Sequence, residues 1–156
     1  MAGLGYAGIQ KKKAAEAASA KATAEADDSN TVTWQGKTYK YNQNLSNYLL
    51  LGVDKRTPAE TRVGKADAGQ ADALFLLSLN RKTKEMTLIS IPRDTMTDVE
   101  SFDLEGKSLG KSKDHISLSY GYGDGGAESC KLTQEAVSNL FYGLPIQGYL
   151  AMNLDG

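Results

Sequence analysis

A single cysteine (Cys130), one histidine (His115), one tryptophan (Trp34) and three prolines are all that these 156 residues hold of those types. One thiol excludes an internal disulfide and any multi-cysteine zinc or iron-sulfur centre. No stretch approaches the roughly 20 apolar residues that cross a bilayer as a helix, and the opening MAGLGYAGIQ is too short and too glycine-rich for a complete signal peptide. Nor does either charge dominate. The 18 Lys and Arg face 19 Asp and Glu, for a net charge of -1, so the chain lacks the basic field that wraps nucleic acid without sequence preference. No nucleic-acid partner is expected.

What is present suits a folded domain. Hydrophobic residues make up 40% and aromatic ones 8%, too rich for wholesale disorder and enough for one core at this length. Residues 1–30 read as a stalk or linker, partly helical or disordered: AAEAASAKATAEA can be helical but has no large apolar residue to pack. MAGLGYAGIQ before Lys11, Lys12 and Lys13 reads either as the end of a transmembrane helix with lysines at the headgroups or as an appended tail. The positive-inside rule weighs against placing those lysines outside the membrane.

Residues 31–156 carry the pattern of a domain. Thr31–Trp34 and Thr38–Tyr41 look like two short strands around Gln35-Gly36-Lys37. NYLLLGV, ending at Asp54, is a nearly unbroken apolar run of the kind found in a central strand covered on both faces. ALFLLSL (73–79) and MTLISI (86–91) flank the polar turn NRKTK and predict a hairpin. Residues 94–113 are polar and irregular, with GKSLGKSK resembling a mobile loop. HISLSY is ambiguous between helix and strand. From Ala127 to Tyr142, Leu132, Ala136, Val137, Leu140 and Phe141 recur at helical spacing before Gly143 and Pro145 stop the pattern. IQGYLAMNL (146–154) reads as a further strand. Strands interleaved with a helix predict a layered α/β domain.

Hairpin geometry proposes a site. With the turn centred near Lys82, residue 72 falls opposite residue 92, so Asp72 and Arg93 share one end of the sheet. If the strand at 47–53 runs alongside 86–91 in the same direction, Asp54 emerges at that edge too, where α/β sheets commonly bind ligands. Two carboxylates are hard oxygen ligands suited to Mg²⁺ or Mn²⁺ shared with substrate phosphates. Arg93 offers a planar fork for phosphate oxygens, and Arg56 or Lys55 can add positive charge. Asp94 either helps deprotonate an attacking hydroxyl or orients Arg93 as an ion pair. Taken singly, Asp54 reads as a turn residue and Asp72 as a polar strand start; their convergence with Arg93 is what points to phosphoryl transfer. His115 alone, the glycine-rich run at 121–126, Cys130 and the tyrosines 120 and 122 read better as structural.

The segments NYLLLGVDKR, GQADALFLLSLNRKTKEMTLISIPRDT, HISLSYGYGDGG and LPIQGYLAMNLDG follow in order, and together they resemble the LytR-CpsA-Psr family from about Asn47 onward. The resemblance implies an αβα layered sandwich around a mixed central sheet, of which this chain would be the amino-terminal part, truncated on the carboxy-terminal side. It implies Asp54 and Asp72 as magnesium ligands and Arg93, with Arg56, on the pyrophosphate; with Asp94 as the nearest carboxylate, Arg93 and Asp94 are the candidate catalytic residues. The implied activity is transfer of an anionic glycopolymer, of teichoic acid or capsule type, from polyprenyl pyrophosphate to peptidoglycan. The implied location is the extracytoplasmic face of the membrane, reached through an amino-terminal helix missing here. Gln70 stands where the family usually has Arg, and His115 where it usually has Lys. A non-catalytic polyprenyl-diphosphate-binding or attenuator-type regulatory domain is the alternative, and this stretch by itself is expected to be inactive.

Overall fold

A computed structural model describes residues 30–55, 63–64 and 67–154. Arg56, and all of the expected stalk except Asn30, lie outside the described residues. The chain divides into two units, Met1–Tyr41 and Asn42–Gly156. In the first, β1 (Thr31–Trp34) and β2 (Lys37–Lys40) pair antiparallel, with Thr31 opposite Lys40 and Trp34 opposite Lys37. Gln35 and Gly36 both take positive φ, 49° and 75°, the mirror-image turn whose twist matches that of the flanking strands.

The second unit runs β3 (Leu45–Val53), β4 (Ala71–Asn80), β5 (Met86–Ile91), β6 (Met96–Phe102), β7 (Ser108–His115), α1 (Leu118–Gly121), α2 (Ala127–Leu140) and β8 (Gly148–Met152). Its main sheet has the order β5-β4-β3-β8, with β4 antiparallel to both neighbours and β8 parallel to β3. The class is therefore mixed α/β around a mixed central sheet. β3 is not the neighbour of β5, as the sequence had suggested; β4 lies between them. Two antiparallel steps nevertheless leave β3 and β5 pointing the same way, so both end at one edge.

Alternation decides what the sheet buries. Leu49 and Leu51 of β3, Leu74 and Leu76 of β4 and Ile91 of β5 are buried against Val99, Ile116, Tyr120 and, on α2, Cys130, Ala136 and Val137. On α2, Cys130, Thr133 and Val137 recur every three or four residues and form its inward stripe. Such a layer is driven by removal of apolar surface from water; truncating one fully buried leucine to alanine typically costs about 2–5 kcal/mol. The opposite face presents Tyr48, Leu88, Leu150 and Met152, which are exposed among the described residues. Among the described residues β3 is thus covered on one face, where the sequence predicts cover on both. α2 ends at Leu140, two residues short of the expected Tyr142, which instead turns into positive φ at 59°.

One polar residue within β3 is explained by what it holds. Asn47 is 4% exposed, and every arm is used: its Nδ2 donates to the Pro145 carbonyl (2.8 Å), its Oδ1 accepts from Ser78 Oγ (2.8 Å), and its backbone exchanges hydrogen bonds with Gln147. Those bonds fasten the chain entering β8 beside β3. A buried polar group left without such partners would be costly.

Residues 94–113 correct the sequence reading. Instead of an irregular segment with a mobile tail, 96–115 form the β6–β7 hairpin, Met96 opposite His115. Its turn is braced by Asp103, whose Oδ1 accepts from the N–H groups of Glu105 (2.9 Å) and Lys107 (2.8 Å). Only Thr97 and Val99 of β6 are buried, so the period-two apolar signal is too short to stand out from the polar residues around it.

Candidate functional site

At the edge where β3, β5 and β8 end and β4 begins, three sequence-distant segments meet. The β4–β5 ladder pairs Leu74 with Ile91 and Leu79 with Met86; extended two residues further, it sets Asp72 opposite Arg93. The register is one residue away from the expected 72 opposite 92. The reason is the turn: Asn80 N–H donates to the Glu85 carbonyl (2.9 Å), leaving Arg81–Lys84 as an even-numbered loop in which Lys84 takes φ 66°.

Asp72 has a second local peculiarity. On the other side of β4, Gly52 pairs with Ala73 and Val53 with Ala71, so the register shifts and Asp72 is left without a partner on β3. It is the extra residue of a β-bulge, a device that re-aims one side chain at a strand end. Strict alternation would put Asp72 on the buried face with Leu74 and Leu76. The bulge lets Ala71 occupy that face and leaves Asp72 exposed at the rim.

Arg93 follows β5 and is fixed from several directions. Its carbonyl accepts from the Ser117 N–H (3.2 Å). Its Nη1 donates to Asp72 Oδ1, its Nη2 donates to Gln70 Oε1 (2.9 Å), and its Nε lies 3.7 Å from Asp94 Oδ1. The same Asp94 oxygen is 3.3 Å from His115 Nδ1. The side chains of Arg93 and Asp72 are 45% and 40% exposed. An ion pair so open to solvent contributes little to stability, roughly 0–1 kcal/mol, so the gathering is better explained by what it can bind.

Asp54, just past β3, is oriented by the strand entering β4. Its N–H donates to the Gln70 carbonyl (3.1 Å) and its Oδ1 accepts from the Gln70 N–H (2.8 Å). Gly69 permits this approach: it takes φ 94°, and a Cβ there would lie 2.9 Å from Asp54 Oδ1, a clash any side chain would introduce. Asp54 and Asp72 line one cavity of about 500 Å³, together with Gly52, Ala73, Met152 and Leu154.

The donor set fits a hard divalent cation. Each aspartate has Oδ1 engaged, and among the described residues no hydrogen bond falls on the Oδ2 of either. Among those residues no group of three or more His, Cys, Asp or Glu gathers; a cation held by Asp54 and Asp72 alone would fill its remaining positions with waters or substrate oxygens. Of the residues named from sequence, Asp54, Asp72, Arg93 and Asp94 are at this edge. Lys55 instead donates through Nζ to the Asp67 carbonyl, and Arg56 is outside the described residues. From sequence Gln70 stands out only as a departure from the family pattern; its place two residues before Asp72 is the signal that points to this edge.

Away from this edge, burial raises two neighbouring groups. Tyr120 is pushed up to about 12 by burial, with the nearby Cys130 and Asp124 adding to it, and Cys130 rises to about 11 through burial and Asp124. Cys130 is 3% exposed within the core cluster, where it packs as a small apolar residue.

The model of the LytR_cpsA_psr family matches residues 6–156. A polyisoprenyl-teichoic acid–peptidoglycan teichoic acid transferase TagU from Bacillus licheniformis is 33% identical over 108 residues, covering 69% of this chain and 28% of that protein. The protein of the same name from Bacillus cereus is 31% identical over 140 residues, covering 82% and 39%. The chain therefore spans well under half the length of these relatives. The crystal structure of the transcriptional regulator yvhJ from Bacillus subtilis superposes with a TM-score of 0.50 at 25% identity, over 74% of this chain and 42% of that one.

Proposed function

We propose that this chain, which belongs to the LytR-CpsA-Psr family, forms part of a phosphotransferase that moves a polyprenyl-pyrophosphate-linked anionic glycopolymer onto peptidoglycan. The observation that carries this reading is the convergence of Asp54, Asp72 and Arg93 on one rim. The TagU relatives are named for teichoic acid transfer, which makes teichoic acid the first polymer to test. No described helix is long and apolar enough to cross a membrane; attachment at the extracytoplasmic face through an amino-terminal helix is part of the proposal.

In this reading Asp54 and Asp72 hold Mg²⁺ or Mn²⁺, which supplies charge neutralisation at the diphosphate. Arg93 offers N–H donors to the phosphate oxygens on which charge accumulates as the bond to the leaving polyprenyl phosphate breaks. Arg56, close in sequence to Asp54, adds a second guanidinium. The acceptor hydroxyl attacks the phosphorus that carries the polymer, the pyrophosphate P–O bond opens, and polyprenyl phosphate leaves. In this reading Asp94, exposed at the rim and contacted by His115, receives the hydroxyl proton.

The test uses the intact protein with a polyprenyl-diphosphate-linked glycopolymer and Mg²⁺, and follows release of polyprenyl phosphate. Turnover that is lost with chelator and with Asp72→Ala, while the fold is retained, supports the proposal. Undiminished turnover of Asp72→Ala refutes it. Tight diphosphate binding without turnover by the wild-type protein assigns a binding role instead.

A further inference from the structure

Gln70 touches both Asp54 and Arg93. Its backbone holds Asp54, donating to Oδ1 at 2.8 Å and accepting from the Asp54 N–H at 3.1 Å, while its side-chain Oε1 accepts from Arg93 Nη2 at 2.9 Å. The other groups around Arg93, Asp72 and Asp94, are anionic. A carboxylate that restrains a guanidinium also cancels its charge, and Asp72 would in addition be drawn toward a cation bound beside Asp54. An amide oxygen restrains the same plane and leaves the positive charge available to an anion.

Resting on the phosphotransfer reading above, we infer that Gln70 is a positioning residue for the diphosphate. Its neutral acceptor oxygen fixes the Arg93 fork when Asp72 turns to the metal, so that the remaining Nη protons stay aimed at the phosphate oxygens. The division of labour within the residue is specific. The cation half depends on the Gln70 main chain, which a substitution preserves, and the anion half depends on its side chain, which a substitution removes.

Gln70→Met keeps the length and deletes the acceptor. With the intact protein and inorganic pyrophosphate in Mg²⁺ as the probe, calorimetry should show affinity falling by about tenfold, the scale of one hydrogen bond to a charged group. In an Arg93→Ala background the same change should cost nothing further, because its effect passes through Arg93. Mn²⁺ affinity measured without pyrophosphate should be unaltered. Wild-type affinity in Gln70→Met overturns the inference, as does an equal loss in the Arg93→Ala background or a matching loss of Mn²⁺ affinity. If the wild-type protein binds no pyrophosphate in Mg²⁺, the phosphotransfer reading itself falls and takes this inference with it; binding by wild type together with an unaffected Gln70→Met removes the inference alone.

Discussion

Arg93 reaches across the mouth of the β4–β5 hairpin and donates from Nη1 to Asp72, two residues beyond the last paired rung. The contact is close but solvent-exposed, and that combination separates its structural from its chemical importance. Asp72→Ala and Arg93→Ala should each change the free energy of unfolding by less than about 1 kcal/mol, as exposed ion pairs generally do. Chemical denaturation checks this; a loss of several kcal/mol would make the pair a structural clamp.

Arg93→Lys retains the charge and loses the planar fork. A lysine cannot donate to Asp72 and Gln70 at once while keeping further N–H groups for a phosphate. Pyrophosphate affinity in Mg²⁺ should drop by roughly tenfold or more, corresponding to the loss of one or more charge-assisted hydrogen bonds. Retention of wild-type affinity would show that Arg93 acts as a point charge only.

Asp124 secures the start of α2 from just outside it. Its Oδ1 accepts from the N–H groups of Gly126 (2.8 Å), Glu128 (3.1 Å) and Ser129 (3.3 Å). Burial by itself would raise the carboxyl, but these donors outweigh it and hold the group below its ordinary value of 3.8. A carboxyl depressed on folding stabilises above its unfolded value and loses that contribution as pH falls through its folded one. Asp124→Ala should therefore cost about 1 kcal/mol near neutrality, the usual scale of a helix cap. The gap between variant and wild type should shrink as the pH is taken below the ordinary carboxylate range, which denaturant titrations at several pH values would reveal.

Gly123 packs against the backbone where α2 begins. A Cβ at this position would lie 2.3 Å from both Cα and N of Ser129, and main-chain atoms at a helix start cannot step aside as a side-chain tip can. Gly123→Ala should destabilise by about 1–3 kcal/mol or more, the range for overpacking, read as a lower Tm. An unchanged Tm would mean that the 121–126 loop shifts freely.

Much of this was legible in the residues. Strands β3, β4 and β5 and helix α2 have long, strongly periodic apolar patterns, and their existence and edges follow from them to within a few residues. Asp54, Asp72 and Arg93 could be brought together because chain direction alone decides which ends share an edge. The remainder depended on features without a periodic signature. The β6–β7 hairpin buries too few side chains to announce itself, and the bulge at Asp72 appears only once β4 is paired on both sides. Gln70 acts through one amide oxygen and two main-chain groups, and main-chain groups are the same in every residue but proline.

The Arg81–Lys84 loop closes the end of the hairpin farthest from the candidate site, some seven residues or roughly 23 Å along the strands from Asp72 at about 3.3 Å per residue. Its even length is nonetheless what brings an acid and a base of distant sequence face to face. An odd count there would slide one strand past the other by half a step and turn alternate side chains to the wrong surface. This remote loop is thus a ruler for the distant rim: a one-residue insertion that most surface turns would absorb would, at this one, change which residues stand opposite Asp72.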